Sequence, residues 1–67
     1  MSPSEFKSIR QQLGLSTIAM GRAIGYDGTD ESVAVNIRRF EAGMRPIPPT
    51  VAVLVNLMAK YPGALQA

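Results

Sequence analysis

The sequence predicts an all-α domain of four to five short helices. Apolar residues recur at spacings of three and four rather than two, the periodicity of a helix with one buried face. Gly and Pro interrupt this pattern at intervals of about one short helix. The 67 residues, 46% of them hydrophobic, can hold one core and no second folding unit. Residues 1–62 are expected to form that domain and residues 63–67 a C-terminal tail. A core of this size supplies only about 3–5 kcal/mol of net stability, so each packing contact matters.

Ser2 can cap a first helix that begins at Pro3, with Glu5 closing a capping box. Phe6, Ile9 and Leu13 give this helix one apolar stripe, and Gly14 stops it near Leu13. Ser16 caps a second helix of about two turns, residues 17–24, with Met20, Ala23 and Ile24 on one face and Gly25 at its end. Residues 26–30 read as a loop, and a third helix starts between Thr29 and Glu31. Asp27, Asp30 and Glu31 suit the capping and dipole of that start. Val33, Ile37 and Phe40 form its buried face, leaving Ala34, Val35, Arg38 and Arg39 on the other side until Gly43. Pro46, Pro48 and Pro49 exclude a helix interior, but Pro48 or Pro49 suits a start, which places the fourth helix over about residues 49–60. Pro62 and Gly63 end it. Phe6 and Phe40 are expected in the core, with Met20, Met44 and Met58 filling gaps.

The composition excludes whole classes of chemistry. With no Cys and no His, the chain has no disulfide, no thiolate site, and neither the commonest general base nor the commonest metal ligand. No catalytic, metal-binding or cofactor-binding residue is expected, and no ligand pocket is expected to find room. The longest apolar stretch, residues 51–59, is broken by Asn56 and falls far short of the ~20 residues a bilayer crossing needs. The first five residues lack the basic start and apolar run of a signal peptide, so a cytoplasmic location is expected.

Charge is distributed unevenly. The net charge is +2, but Asp27, Asp30 and Glu31 cluster in the middle. From residue 32 onward Arg38, Arg39, Arg45 and Lys60 face only Glu41, giving +3. Arg38 or Arg45 is the expected partner of Glu41, while Lys7, Arg10 and Arg22 are expected in solvent.

The segment Leu15-Ser16-Thr17-Ile18-Ala19-Met20-Gly21-Arg22-Ala23-Ile24-Gly25 resembles the first half of the helix-turn-helix in phage-repressor and Cro-like (XRE-type, lambda-repressor-like) proteins. Ile37 and Phe40 match its two apolar anchors. Gly21 would let the third helix approach the backbone of the second, and the anchors would pin it at a fixed angle. The run Asn36-Ile37-Arg38-Arg39-Phe40-Glu41-Ala42-Gly43, followed by a Pro-flanked turn, resembles a subgroup of small regulators of this type. The likeness covers about residues 5–60. It departs from the compact motif by about six additional residues between Gly25 and Phe40, which lengthen the turn or the third helix.

The resemblance implies DNA contacts. Counting back from Ile37, Ala34 and Val35 fall where family members read bases, and Arg39 where a third base contact often lies. Thr17 falls at the phosphate-binding start of the second helix. Neither Ala nor Val can hydrogen-bond a base, though a Val methyl can pack on a thymine methyl. Polar readout is therefore expected from Arg39 above all, with Arg38, Asn36 and Ser32. Arg45, just beyond Gly43, suits a backbone phosphate.

The fourth helix carries more apolar surface than one small core can cover. Val51, Leu54, Val55 and Met58 form one stripe, and Val53 and Leu57 a second. The second stripe is expected to pair with another copy of the chain. The expected function is sequence-specific binding of double-stranded DNA at an inverted-repeat operator, by a dimeric repressor or autorepressor of a phage or prokaryotic operon. Regulators associated with anti-CRISPR genes are of this kind. The alternative is a protein-interaction module that keeps the helix-turn-helix fold, such as an antitoxin-like partner.

Overall fold

Side-chain caps set the start of three helices. The computed structural model describes residues 1–63, so the tail expected beyond Gly63 lies outside the described residues. Helix α1, Pro3–Gln12, begins with the capping box: the Glu5 N–H donates to Ser2 Oγ at 3.1 Å, and the Ser2 N–H donates to Glu5 Oε1 at 3.3 Å. In α2, Thr17–Ala23, Ser16 Oγ accepts from the Ala19 N–H at 3.0 Å. In α3, Asp30–Glu41, Thr29 Oγ1 accepts from the Ser32 N–H at 3.2 Å. Asp30 and Glu31 do not cap; they lie in the first turn, where carboxylates complement the helix dipole. Helix α4, Pro49–Lys60, starts on Pro49 with no side-chain cap. The described residues thus hold four helices and no strand. No helix there is long and apolar enough to cross a membrane.

Helix α3 is the centre of the fold, with α2 packed intimately along it and α1 against it from another side; α4 lies on α1. Phe6, Met20, Ile37, Phe40, Val55 and Met58 are buried together, so every helix contributes to one core. The Phe40 ring stands 5.7 Å from that of Phe6 and 6.2 Å from that of Tyr26, both tilted, in the range where aromatic pairs attract. Met44 departs from expectation: it is 78% exposed, in the turn just past the helix-ending Gly43.

The α2–α3 contact depends on the absence of a side chain at residue 21. Gly21 is buried, and a Cβ built there would overlap Val33 Cγ1 and press on Ile37. Val33 is fully buried, and its β-branched side chain strongly prefers one χ1 rotamer in a helix, so moving it aside is costly. The close approach sets the angle at which α3 lies against α2.

Gly21→Ala should therefore destabilise the fold by about 1–3 kcal/mol, and Val33→Ala in the same chain should restore part of that loss. Thermal unfolding followed by circular dichroism checks both. Purely additive losses in the double variant would mean that the two residues are not in steric conflict.

Candidate functional site

The outer face of α3 lies opposite Val33, Ile37 and Phe40. At 3.6 residues per turn, Val35 and Ala42 fall at its centre, with Glu31, Arg38 and Arg39 around them and Ser32 and then Asn36 toward one edge. Ser32, Arg38 and Arg39 are exposed, whereas Val35 and Asn36 are half-buried. Ala34 does not belong to this face. It is only 2% exposed, because α1 and α2 press on α3 from two sides and widen the buried arc beyond a single stripe. Base contact by Ala34 is thereby corrected to a packing role.

Two ion pairs engage Glu41 and Asp30, while the exposed Glu31 in the first turn of α3 takes part in neither. Glu41 pairs with neither Arg38 nor Arg45. It accepts two hydrogen bonds from Arg10, at 2.6 Å from Nε and 3.1 Å from Nη2, across the α1–α3 contact. Arg10 also donates to the Leu15 carbonyl at 3.0 Å, so its head is neither free nor in solvent. The two side chains are 14% and 10% exposed, a fork-to-fork pair shielded from bulk water. The sequence holds a signal for it: Arg10 follows Phe6 by four residues and Glu41 follows Ile37 by four, so both border the core. Arg22 is exposed, as expected, and there donates to the Gly28 carbonyl at 2.8 Å and to Asp30 Oδ1 at 2.9 Å.

Arg38 and Arg39 take no part in the ion pairs among the described residues, and both point outward from the last turns of α3. Arg45 approaches the same helix from beyond its end. Its Nη1 donates to Asn36 Oδ1 at 2.7 Å, and its guanidinium carbon lies 5.8 Å from the centre of the Phe40 ring. Asn36 Nδ2 in turn donates to the Ser32 carbonyl at 3.1 Å. The fold thus gathers Ser32, Val35, Asn36, Arg38, Arg39 and Arg45 on or beside one face. Thr17 stands apart as the half-buried first residue of α2.

Val53 and Leu57 lie on a separate surface of α4, 61% and 48% exposed. Tyr61, four residues on and 55% exposed, extends their row. Its i+4 spacing was the sequence signal, hidden by the neighbouring Pro62. Contrary to the expectation of no room for a pocket, a cleft of about 390 Å³ opens beside this row, lined by Leu13, Leu15, Ala19, Arg22, Ala23, Met58, Tyr61 and Pro62. Set against known proteins, the sequence matches no family model, no curated protein and no solved structure.

Removing one member of the shielded pair should expose its value. Glu41→Ala leaves the Arg10 guanidinium half-paired in a poorly hydrated place and should cost about 3 kcal/mol. Replacing both residues by Met should cost less than Glu41→Ala alone, as urea unfolding would reveal. The reverse order would mean that water screens the pair.

Proposed function

We propose that this chain is a sequence-specific double-stranded DNA-binding protein of the helix-turn-helix type, a small dimeric regulator that represses transcription by occluding a promoter. The observation that carries this reading is the outer face of α3: it presents Arg38 and Arg39 on its last turns, with Arg45 beside them, while Glu41 and Asp30 are held by Arg10 and Arg22 and the exposed Glu31 lies two turns away at the start of the helix. A helix with such a face fits the major groove of B-DNA, about 12 Å wide. Arg39, exposed beside the central Val35, reaches guanine O6 and N7; Val35 packs on a thymine methyl; Ser32 bonds a base edge. Arg38, Arg45 and the Thr17 hydroxyl contact phosphates and fix the register. In this reading α2 is the supporting helix, and the extra length between Gly25 and Phe40 is taken up by the connection 24–29 and by the 12 residues of α3. The reading assigns no catalytic residue, metal or cofactor.

The row Val53, Leu57 and Tyr61 supports pairing of two copies through α4. Two recognition helices would then enter successive major grooves about 34 Å apart, and the operator would be an inverted repeat.

Binding to duplex DNA should weaken steeply with salt, each neutralised phosphate adding about −0.9 to the slope of log K against log salt. Arg39→Ala should cost about 1–3 kcal/mol and relax preference at one base pair. Fluorescence anisotropy over several salt concentrations and single-base operator variants reads both. A folded wild type that binds no duplex at low salt moves the reading to a protein-interaction module. Leu57→Glu should leave the helices intact, yield monomer in sedimentation equilibrium and abolish tight operator binding. A wild type that stays monomeric at high micromolar concentration would sink the dimer.

A further inference from the structure

We infer that Asn36 does not read a base: it is the positioning residue that holds Arg45 as a ready-placed phosphate contact on the flank of α3. This assignment rests on the DNA reading proposed above and deepens it. A side-chain amide that reads adenine must present its oxygen and its NH2 group together to the base edge. In Asn36 both are committed, Nδ2 to the Ser32 carbonyl at 3.1 Å and Oδ1 to Arg45 Nη1 at 2.7 Å. The bond into its own helix turns the amide away from the groove and leaves the oxygen facing the returning chain.

That return is built into the end of α3. Gly43 takes φ +72°, and the Met44 N–H donates to the Arg39 carbonyl at 3.0 Å, closing the helix and sending the chain back along its flank. Arg45 then lies with its guanidinium within cation–π reach of the Phe40 ring, 5.8 Å from the centroid. Phe40 is itself buried and packed against Phe6 and Tyr26, so the ring under Arg45 is held by the core. One charge-assisted hydrogen bond and one ring contact restrain the guanidinium, and its Nε and Nη2 groups donate to no side chain or carbonyl among the described residues. An arginine restrained in this way gives up little rotamer freedom on meeting a phosphate, where a freely swinging side chain would lose much more.

Asn36→Ala, Arg45→Ala and the double variant separate this role from base reading. With a mixed-sequence duplex and a set of single-base variants as probes, Asn36→Ala should weaken binding to all of them about two- to tenfold, the range set by ordering one long side chain. Base preference and salt slope should stay as in the wild type, because the charge count is unchanged. Arg45→Ala should lower the magnitude of the slope by about 0.9, and the double variant should match Arg45→Ala rather than the product of the two losses. In the DNA-free protein, side-chain nitrogen relaxation of Arg45 should report restricted motion that Asn36→Ala releases. A change of preference at one base pair in Asn36→Ala, independent losses in the double variant, or an equally mobile Arg45 with and without Asn36 overturns the assignment while leaving DNA binding standing. A wild type that binds no duplex at low salt overturns the DNA reading and this assignment with it.

Discussion

The close approach of α2 and α3 at Gly21 is the constraint on which the rest of the structure depends. Where Val33 fills the space a side chain at 21 would need, the two helices meet almost backbone to side chain. Everything on the outer face of α3 inherits its direction from that contact. Phe40, lower on the same helix, adds a second fixed point by gripping Phe6 and Tyr26. Two separated points fix an axis, and a fixed axis is what a surface needs if side chains three and four residues apart are to meet a rigid partner together.

Charge in this small domain is sorted as much by pairing as by composition. The net charge is +2, which by itself indicates little about a partner. The fold uses Arg10 and Arg22 to engage Glu41 and Asp30, and leaves Arg38 and Arg39 outside both pairs. The Arg10–Glu41 pair is shielded and geometrically tight, so salt that screens exposed charges leaves it largely intact. The Arg22–Asp30 pair is exposed and contributes little to stability, serving mainly to fasten the connection to α2.

Much of the fold was legible because its signals are local. Ser2 with Glu5, Ser16 and Thr29 mark helix starts by chemistry that acts within three residues, and the i, i+4, i+7 run of Val33, Ile37 and Phe40 survives in the core unchanged. What was hidden depends on partners distant in sequence. Ala34 looked exposed because a periodic stripe cannot reveal that two neighbouring helices press on one helix from different sides. Glu41 has nearby arginines at helical spacing, and only the packing of α1 on α3 brings the more distant Arg10 within reach. In the candidate site, the outward position of Arg39 follows from spacing alone. The engagement of Asn36 by Arg45 does not, since it needs the turn at Gly43 to fold one segment back on another.

The connection 24–29 has its own fastenings. The Tyr26 N–H donates to the Gly21 carbonyl at 2.9 Å, its ring rests on Phe40, and Arg22 grips the other end at Gly28 and Asp30. Both shoulders are tied to the helices, and Asp27 forms an exposed tip between them. Residues inserted at that tip would add little closure entropy, about 0.6 kcal/mol for each doubling of loop length, and would leave the aim of α3 untouched. The fold therefore offers a place where chain length can change while the α2–α3 contact at Gly21 stays as it is.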